Sequence, residues 1–220
     1  MKIAIIGTGN VGTRLGKLFT LANHQVIMGS RNHQRALEVA AAIGVDVQGK
    51  TYKHAAHDAE VVIIAIPWSE DAAKKAVQEL GNLAEKIVID CTNPLAPDYM
   101  SNTLGHTTSS SEEIAKLIPQ ARVVKAFNTI FADVMQPGKQ TFNGHKSTGF
   151  YCGDDPEAKK IVAKLINDAG FEPIDAGKLK NARYLEPMAQ LNIQIAYGLG
   201  GGTDVAFRYM RRQIGDSKSL

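Results

Sequence analysis

Three glycines, in the order Gly7-Thr8-Gly9-Asn10-Val11-Gly12, follow a short apolar run over residues 3–6 and precede a stretch with helical spacing. The chemistry served by this pattern is dinucleotide binding. Gly7 permits a tight turn, Gly9 lets the backbone approach a pyrophosphate with no side chain in the way, and Gly12 lets the helix pack closely against the strand. The first N–H groups of that helix have no intrahelical partner and, with the positive end of its dipole, face the phosphates. Thr8, Asn10 and Val11 therefore join the three glycines as cofactor-binding candidates.

In NAD-binding versions of this motif an Asp or Glu about 20 residues further on accepts hydrogen bonds from the ribose hydroxyls. This chain has Gly29-Ser30-Arg31 there instead. No carboxylate is present to repel a 2′-phosphate, Ser30 can donate a hydrogen bond, Arg31 can add a charge-assisted one, and Arg35 follows one helical turn later. The pattern predicts NADP(H) rather than NAD(H).

In a doubly wound sheet, ligands sit beyond the carboxyl ends of the strands, where the strand order reverses. The remaining strand ends read Ile66-Pro67-Trp68, Thr92-Asn93-Pro94 and Asn128-Thr129-Ile130. Ile66, Pro67 and Trp68 offer an apolar wall for a ribose or an aromatic ring. Asn93 and Asn128 can hydrogen-bond an amide or a ring carbonyl, and Ile130 can press on one face of a nicotinamide. Turn stabilisation after a strand is the competing role for both asparagines. No Tyr-x-x-x-Lys follows the sixth strand and no Ser/His/Asp grouping has a recognisable context, so no side chain is assigned as acid, base or nucleophile. Hydride transfer between two stacked rings suits such a cleft, since it needs alignment at roughly 3–3.5 Å while the rings' own electronics carry the charge. Asn93, Asn128 and Ile130 frame the expected transfer site.

The elements that must position these residues alternate between strand and helix. After the first strand and helix, an apolar strand covers 25–28, a helix 34–43 is closed by Gly44, and a short strand is expected over 45–47. A short helix over 52–59, a strand over 61–66, a helix over 70–80 and a strand over 87–91 follow. Residues 95–111 lack periodicity, as functional loops often do. Ser110 and Glu113 have capping-box spacing for a helix ending at Pro119. Strands over 122–127, 148–152 and 171–174 and a helix from Pro156 to Ala169 complete the alternation. From Asn181 the pattern turns helical, with Leu185, Met188, Leu191 and Ile195 near one face. Gly198, Gly200, Gly201 and Gly202 break it before Thr203 opens a final short helix. The expected fold is therefore α/β, a Rossmann doubly wound and mainly parallel sheet with a short helical C-terminal part. Residues 1–180 would form the NADP-binding domain, and 181–220 a helical extension packed on the sheet or on a second subunit.

Composition bounds the function. A chain of 220 residues that is 44% hydrophobic can bury a full core. Its net charge of +3 is dispersed, and the one tight basic cluster, Arg208, Arg211 and Arg212, is too small to argue for nucleic acid. The apolar runs fall short of the roughly 20 residues that cross a bilayer, and a core strand begins at Met1, which points to a cytoplasmic protein without a membrane partner. Cys91 and Cys152 form no CxxC pair and are expected to be reduced core thiols. His54 and His57 could share a helix face, but no third ligand is spaced to complete a zinc site, so no metal is expected. A homo-oligomer is expected, since symmetric assemblies are common among such enzymes.

The chain resembles the NADPH:coenzyme F420 oxidoreductase family. The resemblance is carried by Gly7-Thr8-Gly9-Asn10-Val11-Gly12, Gly29-Ser30-Arg31, Ile66-Pro67-Trp68, Tyr151-Cys152-Gly153-Asp154-Asp155, Asp175-Ala176-Gly177 and Asn181-Ala182-Arg183-Tyr184-Leu185-Glu186. It implies NADP(H) along the first strands and a deazaflavin stacked on the nicotinamide. Family members that use the deazaflavin carry a His where this chain has Asn128. The run Lys125-Ala126-Phe127-Asn128-Thr129 is instead similar to the cytosolic NADPH domain of the STEAP ferric reductases, which pass hydride to a flavin. The small-molecule acceptor is thus left open among coenzyme F420, FMN and FAD. Two other readings remain: a small hydroxyacid or imine reductase, and an NADPH-sensing regulatory protein without turnover.

Overall fold

The computed structural model describes residues 1–212. Eight strands form one sheet in the order β10-β9-β6-β5-β4-β1-β2-β3. These are β1 (Lys2–Ile6), β2 (Gln25–Ser30), β3 (Gln48–Thr51), β4 (Val61–Ile64), β5 (Ile87–Asp90), β6 (Arg122–Ala126), β9 (Thr148–Gly153) and β10 (Glu172–Asp175). All neighbours run parallel except β9, which is antiparallel to β6. A small hairpin, β7 (Thr141–Phe142) and β8 (His145–Lys146), stands apart from this sheet. The expected Rossmann order is therefore present and is extended by two strands beyond β6.

Alternate residues of each strand point to opposite faces, and each face has its own apolar core. Ile3 and Ile5 of β1 join Leu15, Leu18 and Phe19 of α1 (Asn10–Leu21), Val39 and Ala40 of α2 (His33–Ile43), and Val162 and Leu165 of α6 (Pro156–Asp168). Ala4 and Ile6 join Tyr52 and Ala55 of α3 (Tyr52–Asp58), Ala76 and Val77 of α4 (Glu70–Glu79), and Ile114 of α5 (Ser110–Leu117). Burial on both faces accounts for the unbroken apolar runs of β1, β4 and β5.

Four expectations shift. The strand expected over 45–47 lies at Gln48–Thr51, and Val45 is 99% exposed. Gly49 decides the register: a Cβ there would lie 2.5 Å from the Ala36 backbone, so α2 can cross the edge strand only at this residue. The capping box sits one residue earlier than its spacing suggested. Ser109 Oγ accepts from the Glu112 N–H (3.2 Å) and donates to Glu112 Oε2 (2.7 Å), while Ser110 turns inward.

The last helix, α7 (Ala182–Ile193), does not bury the stripe Leu185, Met188, Leu191 and Ile195 as one face; Leu191 is 54% exposed. Its covered side is Ala182, Leu185, Glu186, Ala189 and Asn192, of which Leu185 packs with Cys152 while Glu186 faces polar groups near the strand ends. Pro187 lies inside this helix, and a π turn over Gln194–Gly198 continues it. Residues 203–212 are not helical. They lend the Phe207 carbonyl to the Thr148 N–H (2.9 Å) and the Tyr209 N–H to Thr148 Oγ1 (2.9 Å) at the start of β9. Residues 213–220 of the expected extension lie outside the described residues.

Candidate functional site

The glycine turn has the geometry its spacing requires. Gly7 has φ +125, and a Cβ there would lie 2.2 Å from the Ala65 carbonyl oxygen; at Gly12 it would lie 2.1 Å from the carbonyl oxygen of Gly7. At Gly9 a Cβ would meet nothing within 4 Å, because the backbone faces open space. Gly9 is also the N-cap of α1 and supplies no side-chain cap, so the helix's first N–H groups remain available to an anion. This bare backbone above an uncapped helix fits a pyrophosphate.

That opening leads into a cleft along the carboxyl ends of the strands. One lobe, of about 500 Å³, is bordered by Gly9, Asn10 and Val11, by Ile66 and Pro67, by Asn93, and by Asn128 and Ile130. Its volume falls in the range of small-molecule sites. A second lobe, of about 520 Å³, shares Ile66, Pro67, Cys91, Asn93 and Tyr99 with the first and adds Trp68. Trp68 therefore walls only the second lobe. Thr8 borders neither lobe, and Gly7 and Gly12 act beneath the turn.

Asn93 and Asn128 are locked together. Asn93 Nδ2 donates to the Asn128 carbonyl (2.8 Å), and Asn128 Nδ2 donates to Asn93 Oδ1 (2.9 Å) and to the Leu185 carbonyl of α7 (3.0 Å). These bonds join two strand ends 35 residues apart and tie them to α7, so they are tertiary bridges and not the local turn bonds that competed with a ligand role. Asn128 has spent its donors and cannot serve a ring carbonyl, yet Asn128 Oδ1 and the neighbouring Thr129 Oγ1 are buried without a partner beside the cleft. Orphaned buried polar atoms are costly, and an acceptor so placed suits an amide N–H. The backbone reaches this arrangement through Phe127, whose φ of 64 is left-handed for a bulky residue. Phe127 is held there by edge-to-face contacts with Phe19 and Phe171.

Ser30 ends β2, Arg31 follows it and Arg35 lies in the first turn of α2, all outside both lobes. Ser30 Oγ accepts from the Asn32 N–H (3.2 Å), and Asn32 Oδ1 caps α2 by accepting from the Arg35 N–H (3.1 Å). Burial pushes the Tyr52 phenol up, and the charge of the nearby Arg31 guanidinium works the other way. Arg35 is exposed and pairs with Glu38 (3.5 Å).

Directly behind the cleft wall lies a buried ionic cluster that the motifs did not announce. Lys125 Nζ of β6 donates to Asp90 Oδ2 (2.9 Å) at the end of β5 and to the Thr92 carbonyl (2.7 Å), and it pairs with Glu186 Oε1 of α7 (2.9 Å). Ser110 Oγ donates to Glu186 Oε1 (2.6 Å), and Ser111 Oγ donates to Asp90. Burial alone would lower Lys125, but the Asp90 and Glu186 carboxylates outweigh it and hold the ammonium above the ordinary lysine range. The available signal was a lysine and an aspartate inside apolar strands, since buried charges need partners.

Burial, with Asp90 second, pushes the Cys91 thiol far up, and burial pushes Cys152 up to about 12, so neither is poised as a thiolate. Cys152, which is buried, is therefore expected to react with iodoacetamide at pH 8 at least tenfold more slowly in the intact protein than after unfolding, as thiol-alkylation kinetics would show, whereas Cys91 is half-buried at the cleft wall. Among the described residues no group of three or more His, Cys, Asp or Glu is placed to hold a metal ion, and no helix is long and apolar enough to cross a membrane.

A mainly parallel, doubly wound sheet with a glycine turn at its first crossover and a cleft along its strand ends defines a Rossmann-type dinucleotide-binding protein. The family described as NADP oxidoreductase, coenzyme F420-dependent, matches residues 2–94. The F420-dependent NADP reductase of Methanocaldococcus jannaschii is 32% identical over 208 residues, covering 88% of this chain and 91% of that protein. A crystal structure from Arthrobacter sp. FB24, described as that of "a putative F420 dependent NADP-reductase", superposes with a TM-score of 0.85 at 28% identity, covering 96% of this chain and all of that one. The chain belongs to the F420-dependent NADP oxidoreductase family. Metalloreductase STEAP3 of Rattus norvegicus is 31% identical over 185 residues, but the chain spans only 36% of its length. A reductive aminase from Aspergillus terreus shares the fold alone, with a TM-score of 0.66 at 16% identity.

Proposed function

We propose that this protein is an NADPH-dependent oxidoreductase that moves a hydride between NADP(H) and a flat heteroaromatic acceptor, a deazaflavin or a flavin. The observation that carries the reading is that the bare Gly9 backbone and the uncapped α1 open into the same cleft as Asn93, Asn128 and Ile130. Asn10, Val11 and the first N–H groups of α1 would hold the pyrophosphate, Thr8 would flank it, and Ser30 and Arg31 would hold the 2′-phosphate, with Arg35 behind them. Asn128 Oδ1 would accept from a carboxamide N–H, while Ile130 and Pro67 exclude water from the ring faces. The nicotinamide supplies the hydride, so the protein's task is alignment and exclusion of water. Trp68 and the second lobe would receive the acceptor.

Residues 1–180 would act as the nucleotide-binding unit, with 181–220 as an extension. The exposed side chains Leu191, Ile195 and Leu199 support self-association into a homo-oligomer. The cytoplasm is the proposed location, in keeping with a diffusible redox pair.

Turnover is tested by mixing the protein with NADPH and, in turn, coenzyme F420, FMN and FAD, and following the loss of NADPH absorbance. Oxidation with one of them is expected; tight NADPH binding with no oxidation across the panel would sink the enzyme reading in favour of a sensor. Arg31→Ala is expected to weaken NADPH by about one to two decades, since a charge-assisted hydrogen bond is worth roughly 1.5–3 kcal/mol. NADH affinity should stay unchanged. Fluorescence titration of both nucleotides checks this.

A further inference from the structure

The ionic cluster behind the cleft has an unequal count of charges. Lys125 is one ammonium facing two carboxylates, Asp90 and Glu186, and all three side chains are excluded from solvent. The other donors to these carboxylates are neutral: the Thr92 N–H to Asp90, the Ser111 hydroxyl to Asp90, and the Ser110 N–H and hydroxyl to Glu186. With both carboxylates ionised, the cluster carries one net negative charge on side chains with almost no solvent exposure.

The cluster is also tied to the walls of the first lobe. Asp90 precedes Cys91, the Thr92 carbonyl bound by Lys125 precedes Asn93, and Glu186 follows Leu185, whose carbonyl binds Asn128. A nicotinamide held by this wall would be neutral when reduced and would carry a unit positive charge when oxidised. A buried charge is screened far less than an exposed one and acts through several ångströms of protein.

We infer that the Asp90–Lys125–Glu186 cluster tunes the redox preference of the site, its net negative charge favouring the oxidised, cationic nicotinamide over the reduced one. Glu186 and Asp90 would then be tuning residues for hydride donation, not merely supports for α7 and β5. The inference rests on the dinucleotide reading above and adds a direction to it: with the nucleotide bound, the oxidised form is favoured over the reduced one.

The test is the ratio of NADP+ to NADPH affinity, measured by calorimetry and fluorescence titration on the full chain. Glu186→Gln keeps the shape and the acceptor for the Ser110 N–H while removing one charge, and Asp90→Asn does the same from the other side. Each is expected to weaken NADP+ by about five- to twentyfold, the scale of one charge acting across about 10 Å at an effective dielectric near 20. NADPH affinity should change less than twofold. A purely structural role would move both affinities together, and that result in a variant with the parent's circular dichroism would overturn the inference, as would no change in either. The unsubstituted protein should bind NADP+ several-fold more tightly than NADPH, and the reverse preference overturns the inference even where neither variant folds. Failure of the unsubstituted protein to bind either nucleotide is a different result, and it would sink the dinucleotide reading itself.

Discussion

Lys125→Met should cost about 3–5 kcal/mol of folding stability, the range seen when one partner is removed from a buried ion pair. Methionine fills the volume of the lysine stem but leaves Asp90 and Glu186 buried with no cation between them, and frees the Thr92 carbonyl that Lys125 holds at 2.7 Å. For a chain of this size the loss corresponds to a drop in Tm of roughly 6–20 °C. The share of the deficit owed to the Lys125 charge itself should be uniform across neutral pH. Lys125 is raised above its unfolded value, so its contribution is complete below about pH 10.4 and fades only as pH climbs through the higher folded value. Urea midpoints at several pH values check both claims. A variant as stable as the parent would mean that the cluster holds nothing together. The triple variant Lys125→Met, Asp90→Asn, Glu186→Gln should lose less than Lys125→Met alone, because it strands no charge.

The parts of the fold that repeat locally were legible from residue order. The glycine turn, the apolar strands β1, β4, β5 and β6 and the helices between them each advertise themselves within a dozen residues, and the sheet order follows from them. The edge strand β3 was not legible, because its register depends on Gly49 meeting the Ala36 backbone of α2 and not on apolar content. The capping box was displaced because Ser109 and Ser110 are adjacent hydroxyls that capping chemistry treats alike. Only the tertiary partner of Ser110, Glu186, 76 residues away, separates them. The same distance hid the ionic cluster. Its members come from β5, α5, β6 and α7, and no spacing rule links them.

At the site itself, residue type predicted location better than hydrogen-bond role. Asn93, Asn128, Ile66, Pro67 and Ile130 do converge on one cleft, as strand ends in a doubly wound sheet must. The asparagines, however, use up both Asn128 donors and one of Asn93's, and what remains for a ligand is the second Asn93 N–H, the Asn128 oxygen and the unforeseen Thr129 hydroxyl. The strained Phe127 between β6 and Asn128 is equally invisible in composition, since it is the ring packing of Phe19 and Phe171 that holds it.

Gly9→Ala and Gly12→Ala should separate the two jobs of the glycine turn, with the largest expected effects on binding of any single-methyl changes in the chain. Gly9 has φ −81 and ψ −174, which any L-residue adopts, and its added Cβ touches no protein atom. Folding stability should therefore stay within about 0.5 kcal/mol of the parent. The new methyl would nonetheless occupy the space a pyrophosphate needs, and the loss of one or two charge-assisted backbone hydrogen bonds would weaken NADPH by roughly ten- to a hundredfold. Gly12→Ala differs because its Cβ would sit 2.1 Å from a backbone oxygen that cannot swing away. Either the helix or the turn must move, at about 1–3 kcal/mol or more of stability. A displacement of about 1 Å in the turn is enough to lower kcat/KM on the order of a hundredfold. Thermal melts paired with nucleotide titrations distinguish the two variants. If Gly9→Ala were to lose stability while keeping full affinity for NADPH, the phosphates would have to lie somewhere other than above the start of α1.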